Sequence, residues 1–289
     1  MLIDILRSAR PKQWAKNIFF FAALVFDAKL LKPDYILPSL AGFVLLCCIS
    51  GAVYIINDLA DQEKDQQHPT KRNRPIASGR LPRNVATITA IILVTISLVF
   101  GTMIEPYFGL VLLGYFILNL AYTFYLKRLV IVDVISIATG FMLRVIAGVV
   151  IVNVERFSPW LYVCMIFLAL FLALGKRRHE MTLLQQNARA HRAILNEYSM
   201  PLLDQLITIV VAGTLISYAL YTFSAEALPG NHLMMLTIGN VLYGLFRYLY
   251  LIHVRGRGGA PEEVLLEDKP FILNAIAWAV IVLISYYFL

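Results

Sequence analysis

Nine long apolar runs dominate this sequence, at about 17–31, 36–57, 85–104, 107–126, 130–152, 159–175, 203–223, 233–253 and 271–289. A bilayer offers no water to bond the backbone, so such runs must satisfy their own N–H and C=O groups as helices or in a closed barrel. About 20 helical residues cross the hydrocarbon core. The runs are continuous and lack the period-two alternation of barrel strands. They predict an all-α integral membrane protein with nine transmembrane helices. The first run is short and carries Asp27, so it fits the pattern least well. Of the 289 residues, 60% are apolar and 15% charged, against about 45–50% and about 25% in soluble domains. That excludes a disordered chain, a coiled coil and an ordinary soluble enzyme.

The basic residues orient the helices. With the N-terminus in the cytoplasm, 20 of the 25 Lys and Arg residues fall in cytoplasmic segments. The outer loops hold only Lys29, Lys32 and Arg156, and Arg144 and Arg247 lie within spans. A wrong helix count would scramble this asymmetry. The net charge of +7 therefore reads as topology rather than nucleic-acid binding. Residues 1–16 alternate apolar and basic side chains around Trp14, which suits a short interfacial helix, and no signal peptide is expected there. Cys47, Cys48 and Cys164 sit in apolar runs and read as small buried hydrophobes.

The chain reads as one polytopic membrane domain over 1–289, in the inner (plasma) membrane. Its polar chemistry is gathered in three long cytoplasmic loops, at about 58–84, 176–202 and 254–270. A pure transporter should elaborate both faces or show repeated broken helices.

The most informative segment follows the second run, Asn57-Asp58-Leu59-Ala60-Asp61-Gln62-Glu63-Lys64-Asp65. If the helix continues, positions 57, 61 and 65 drift by only about 80° and share a face. Adjacent carboxylates repel, and such a face is comfortable when a cation sits on it. Carboxylates suit Mg²⁺, which takes a few protein oxygens together with substrate phosphates. The alternative is a solvated acidic helix end. Directly after come His68-Pro69-Thr70-Lys71-Arg72-Asn73-Arg74 and Pro75 to Gly79. A metal-binding face beside a Lys/Arg loop is what a diphosphate requires. The basic run alone would also serve topology and anionic lipid contact.

Asn57-Asp58-x-x-Asp61-x-x-x-Asp65 at the end of the second of nine helices resembles the first aspartate-rich motif of the UbiA superfamily of intramembrane prenyltransferases. Within it, the chain resembles the branch of decaprenyl-phosphate phosphoribosyltransferases of cell-wall arabinan synthesis. That resemblance runs through Arg10 to Asn17, Asn57 to Gly79, Leu126-Lys127 and Leu143-Arg144-x-x-Ala147-Gly148. It continues at Gly175-Lys176-Arg177 with Glu180, at Arg247-Tyr248, and at Pro261-Glu262-Glu263 with Asp268. The resemblance implies nine helices around a central cavity, with the active site facing the cytoplasm.

One departure separates the branches. Prenyl-diphosphate users of the superfamily carry a second motif, DxxxD, after the sixth span. Here that place reads Gly175-Lys176-Arg177-Arg178-His179-Glu180. Cations hold phosphate directly, Arg as a fork and Lys as a point charge. One metal face and one cationic face suit phosphoribosyl pyrophosphate, which carries a diphosphate at C1 and a separate 5-phosphate.

The resemblance thus implies Mg²⁺-dependent transfer of 5-phosphoribose from phosphoribosyl pyrophosphate to a polyprenyl phosphate lipid, releasing diphosphate. Asn57, Asp58, Asp61 and Asp65 are the candidate metal residues, with Asn57, Asp61 and Asp65 central and Asp58 a ligand or a support behind them. Lys16, Lys71, Arg72, Arg74, Lys127, Arg144, Lys176, Arg177 and Glu180 are the candidate substrate contacts. Nucleic acid is not an expected partner; lipid length and oligomeric state, a homo-oligomer included, stay open.

Other readings are available for several residues. Arg144, deep in a span, could face a cavity or pair with another helix. Asp133 lies on the same helix face but about 16 Å away along the axis, so the two are not a direct pair. Arg247 could snorkel, His68 reads as a loop residue, and Glu262, Glu263 and Asp268 as a solvated loop. Arg255-Gly256-Arg257-Gly258-Gly259 lacks a nucleotide-binding context. Two other functions remain: an aromatic prenyltransferase of the same fold, and a non-enzymatic lipid transporter.

Overall fold

The computed structural model describes residues 1–69, 71–154, 157–186, 193–226, 228, 230, 232–256 and 267–288. Thr70, Arg156, Arg257 to Gly259 and Pro261 to Glu263, all named above, lie outside the described residues, as do Arg189 and Arg192, which are among the 20 cytoplasmic basic residues. Among the described residues every regular element is helical. The α-helices are α1 (Leu2–Ala9), α2 (Ala22–Phe26), α3 (Pro33–Ala60), α4 (Gln62–Gln67), α5 (Arg83–Ile104) and α6 (Pro106–Phe124). They continue as α7 (Val132–Val152), α8 (Pro159–Gln186), α9 (Met200–Ser224), α10 (Thr237–His253) and α11 (Lys269–Tyr287). Proline stands in the first turn of α3, α6, α9 and α11, where its missing N–H breaks no helical bond. Ser199 and Asp268 cap α9 and α11 by accepting from Leu202 N at 3.3 Å and Phe271 N at 2.9 Å.

Eight of these helices are long and apolar enough to cross a membrane. They account for every predicted run except the first. Where 17–31 was expected to be a span, a 3₁₀ helix (Pro11–Phe21) leads into α2, and helix ends before Asp27. The winding has a physical consequence. A 3₁₀ helix rises about 2.0 Å per residue against about 1.5 Å for an α-helix. Together the two pieces extend about 30 Å, the thickness of the hydrocarbon core. At the N-terminus, α1 leaves Leu2, Ile3 and Leu6 exposed, as an interfacial helix would. Trp14 Nε1 closes its end by donating to Ala9 O at 3.0 Å.

The sequence predicts one polytopic domain; the contacts group into two compact units. The first comprises Met1–Val25, Lys29–Lys127 and Leu143–Val154, the second Phe26–Ala28, Arg128–Met142 and Glu155–Leu289. In the first unit α3 is the most enclosed helix, with 61% of its apolar window buried. It packs against α5, α6 and the 3₁₀ helix, around Phe20, Leu46, Ile49, Phe108 and Leu112. Lipid tails are as apolar as leucine, so close packing and interhelical hydrogen bonds must hold such helices together. Ser97 Oγ supplies one, donating to Leu45 O at 3.1 Å. Gly148 permits the tightest approach: a Cβ there would stand 1.8 Å from the Phe20 carbonyl oxygen.

In the second unit α8 and α9 form the largest interface, and Phe171, Leu174, Leu203 and Ile207 share a core with Tyr248 of α10. The window of α11 is only 11% buried, as a lipid-facing helix requires.

Gly148→Ala should push α7 and the 3₁₀ helix apart at Phe20. Overpacking of this kind costs about 1–3 kcal/mol, so the thermal unfolding midpoint in detergent should fall by several degrees. Gly114, whose Cβ would meet nothing within 4 Å, provides the contrast. Gly114→Ala should leave the midpoint unchanged or raise it.

Candidate active site

The carboxylate face is built by the end of α3. That helix runs to Ala60, pauses at Asp61 (φ −99°, ψ 10°) and resumes as α4. The i to i+4 ladder nevertheless passes through the expected metal ligands. Asp61 N donates to Asn57 O at 3.0 Å, and Asp65 N donates to Asp61 O at 2.9 Å. Asn57, Asp61 and Asp65 therefore keep successive-turn spacing despite the break.

The three aspartates are not equivalent. Asp58 is 2% exposed and is bridged by two guanidinium groups, from Arg10 and from Arg74 at 3.0 Å. The sequence leaves Asp58 either as a metal ligand or as a support behind the ligands; in the structure its Oδ1 is bonded to these two arginines. Asp65 is also buried, and its Oδ2 accepts from Arg74 Nη1 at 2.6 Å. Asp61 is the open one, with 25% of its side chain exposed. Both of its oxygens lie against Lys127 Nζ, at 3.2 and 3.3 Å.

The basic loop is tied down by its apolar residues. Pro75, Ile76 and Ala77 are buried, and Gln62 and Gln66 of α4 donate to Ile76 O at 3.4 Å and Ala77 O at 3.3 Å. This fixes Arg74 beneath Asp58 and Asp65, while Arg72 is exposed. Lys71 N donates to His68 Nδ1 at 3.4 Å. Lys16 Nζ donates to Gln13 Oε1 at 2.7 Å. Arg10 has a left-handed backbone (φ 52°), and its guanidinium lies 5.1 Å from the Tyr54 ring centre.

Arg144 belongs to a separate polar network inside the first unit. Its Nε donates to Asn17 Oδ1 at 2.8 Å and its Nη2 to Tyr115 Oη at 2.8 Å, with the guanidinium 4.9 Å from the Tyr115 ring centre. Ser50 Oγ donates to Tyr115 Oη at 3.2 Å. A guanidinium at this depth is thus met by fixed dipoles and an aromatic face.

The second unit has its own cluster. Asp133 at the start of α7 is 0% exposed and Arg177 of α8 is 1% exposed; Arg177 Nε donates to Asp133 Oδ2 at 2.7 Å. Arg177 also pairs with Glu180 one turn along α8. Tyr198 Oη donates to Asp133 Oδ1 at 2.7 Å and accepts from Ile131 N at 2.7 Å. Burial and the bond to Asp133 push the Tyr198 phenol well above its ordinary pKa, so it stays a donor. Ile131 has a positive φ of 67°, strained for a β-branched residue. Arg177, expected at the substrate together with Glu180, is thus bonded to both Asp133 and Glu180. Lys176 is half-buried beside them in α8. Arg178 Nε donates to Asp204 Oδ1 at 2.6 Å. Arg247 forks onto Asp268 at 3.1 and 2.9 Å, in place of snorkelling.

Sequence reasoning set aside the Asp133–Arg144 pair but did not find Asp133's partner, Arg177. The cue was available: a carboxylate opening an apolar run needs a cation. Tyr198, in a polar loop, carried no such cue. Arg10 and Asn17 stood in the resemblance, with no role attached to either.

Among the described residues no three His, Cys, Asp or Glu side chains converge to enclose an ion. Mg²⁺ does not need such a cage, since it is usually bound by one or two carboxylates and substrate phosphates. Asn57, Asp61 and Asp65 are a donor set of that kind. The ammonium already lodged against both Asp61 oxygens marks a position that favours positive charge.

A family model described as "UbiA prenyltransferase family" matches residues 17–260. The chain is 32% identical over 283 residues to the decaprenyl-phosphate phosphoribosyltransferase of Mycobacterium tuberculosis (strain H37Rv), covering 96% of this chain and 92% of the relative. It is 33% identical over 293 residues to the enzyme of the same name from Corynebacterium glutamicum, covering 98% and 86%. Among solved structures, a UbiA homolog from Archaeoglobus fulgidus bound to GPP and Mg²⁺ superposes with a TM-score of 0.73. It is 19% identical and covers 98% of this chain and 99% of that one. The helical fold is shared.

The Asp133–Arg177 pair sets a stability test. Arg177→Met should leave the buried Asp133 charge without its guanidinium and cost about 3–5 kcal/mol. Adding Asp133→Leu to it should recover most of that loss. Thermal unfolding in detergent reads both; an Arg177 that only held phosphate would leave the midpoint unmoved.

Proposed function

The chain belongs to the UbiA prenyltransferase family, and we propose from this that it transfers 5-phosphoribose from phosphoribosyl pyrophosphate to a polyprenyl phosphate, releasing diphosphate. Its full-length relatives carry the name decaprenyl-phosphate phosphoribosyltransferase. The observation that carries the choice of donor is the segment 175–180. Where prenyl-diphosphate users have a second pair of aspartates, this chain has three consecutive cations, and the carboxylate that follows, Glu180, is bonded to Arg177. That segment supports phosphate contact rather than a second metal.

In this reading Asn57, Asp61 and Asp65 hold Mg²⁺, which when bound would neutralise charge on the leaving diphosphate. Asp58 holds Arg10 and Arg74 in place. Lys127, Lys71, Arg72 and Arg74 supply positive charge to the donor's diphosphate, with Lys16 for a remaining phosphate; Lys176 is a phosphate candidate within the second unit. The lipid phosphate is anionic near neutral pH and attacks C1 of the ribose without a strong general base. Rate then comes from positioning and electrostatics. The chain would make nine crossings of the inner (plasma) membrane, counting the 3₁₀–α2 segment, with its N-terminus and carboxylate face on the cytoplasmic side. The charge asymmetry of the loops supports that orientation. The product would feed the synthesis of cell-wall arabinan precursors.

Purified protein with Mg²⁺ should be offered labelled phosphoribosyl pyrophosphate with polyprenyl phosphate and, in parallel, a labelled prenyl diphosphate with 4-hydroxybenzoate. Label should move into the organic phase from the sugar donor. Transfer from the prenyl donor alone would make the chain an aromatic prenyltransferase, and transfer from neither would favour a carrier. Asp61→Asn should lower turnover at least about 100-fold while the protein stays folded in detergent; retained activity would remove Asp61 from the metal site.

A further inference from the structure

The carboxylate face is already neutral before any substrate arrives. Asp58, Asp61 and Asp65 are met by Arg10, Arg74 and Lys127, three negative charges against three positive ones. An incoming divalent cation therefore finds no vacant carboxylate, and the three resident cations differ in how firmly they are held.

Arg74 is shared between Asp58 and Asp65, at 3.0 and 2.6 Å, and its loop is anchored by buried Pro75 and Ile76. Arg10 bonds to Asp58 and stacks on Tyr54. Both are planar forks on carboxylates that are 3–5% exposed. Lys127 differs in its seat, in its partner and in the shape of its charge. It lies in a short 3₁₀ turn, Leu126–Arg128, after α6. Its partner, Asp61, is the most exposed of the three carboxylates at 25%, although the Lys127 side chain itself, at 18%, is less exposed than those of Arg10 and Arg74 at 25% and 27%. An ammonium is a point charge on a flexible stem and loses less geometry than a guanidinium when it leaves.

We propose that Lys127 is the exchangeable counter-ion of Asp61: it holds the position of the divalent cation in the resting protein, yields it when the ion binds, and then turns to the donor's diphosphate. This rests on the reading of Asp61 as a metal ligand. The charges give it a consequence. Metal alone leaves this cluster with two excess positive charges and a displaced ammonium. A diphosphate removes that excess and gives the ammonium a partner. Metal and donor should therefore bind cooperatively, each raising the other's affinity by the same factor. Neither should occupy the site well alone.

The test uses the full chain in detergent micelles, with Mn²⁺ as the metal probe read by paramagnetic resonance and inorganic pyrophosphate as the anion. Acylation of Lys127 at fixed pH, followed by peptide mass spectrometry, reports whether the ammonium has left Asp61. Lys127 should label several-fold faster once Mn²⁺ is added and become protected again when pyrophosphate follows. Lys127→Met should bind Mn²⁺ alone several-fold more tightly than the wild type and lose most of the enhancement by pyrophosphate. Lys64→Met makes the same charge change at an exposed position on α4. An equal tightening in Lys64→Met would reduce the effect to net charge and overturn the proposal. So would unchanged Lys127 labelling with Mn²⁺ in a wild-type protein whose Mn²⁺ binding is lost in Asp61→Asn, a result that leaves the metal site standing. Mn²⁺ binding that survives Asp61→Asn would instead refute the metal site itself, and the exchange with it. The labelling arm uses the wild-type chain and does not depend on how any Lys127 variant folds.

Discussion

A carboxylate withdrawn from water must be met by a cation or by hydrogen-bond donors, because the desolvation penalty is several kcal/mol per ion even after relaxation. The described polar architecture follows from that constraint. Asp133 is fully buried and held by Arg177 and Tyr198. Asp58 and Asp65 are nearly buried and share Arg74. Arg144, the buried cation within α7, is met by Asn17 and Tyr115. The Asp133 and Arg144 contacts join elements far apart in sequence, those of Arg74 tie a loop to the helix end before it, and removing one partner strands the other. Apolar packing alone could not select the same partners, since helices in lipid gain little from hiding apolar surface from one another.

The same constraint sorts the aspartates of one motif into different tasks. Burial commits Asp58 to scaffolding, because two arginines already satisfy it. The pause in helix at Asp61 leaves that carboxylate the most open of the three. On the proposed reading, chemistry with a soluble donor needs a group that can change partners, and Asp61, the most exposed of the three, is the one assigned to it. The spacing of the three aspartates therefore conceals two kinds of carboxylate, two buried and one open, within two turns of chain.

Much of the fold was legible because hydrophobic length is a long-range signal. Eight of the nine apolar runs are single long helices, and the exception is the run interrupted by Asp27. Its 3₁₀ winding was not readable, since no residue type demands it. The fit of Phe20 against Gly148 belongs to tertiary structure. At the candidate site, the shared face of Asn57, Asp61 and Asp65 was readable from periodicity, as was the nearby positive charge. Which cation meets which carboxylate was not. The Lys127–Asp61 contact joins residues 66 positions apart. Arg177 looked like a phosphate ligand because its local sequence is basic; its actual partner lies 44 positions away.

Arginine and lysine divide the work in a way their shared charge hides. Arg10, Arg74, Arg177, Arg178 and Arg247 all bond carboxylates. A rigid planar donor loses little entropy per bond and is suited to staying put. Among the residues first assigned to phosphate, the lysines are the ones whose charge can reorient on a flexible stem. An enzyme that binds an anionic donor from water and a lipid from the membrane needs both kinds of cation. Fixed ones keep the buried carboxylates in place, and on the proposed reading mobile ones follow the substrate's charge as it enters and leaves. Exchanging the two types at a given position would preserve the net charge but not the function, because mobility and geometry distinguish the roles.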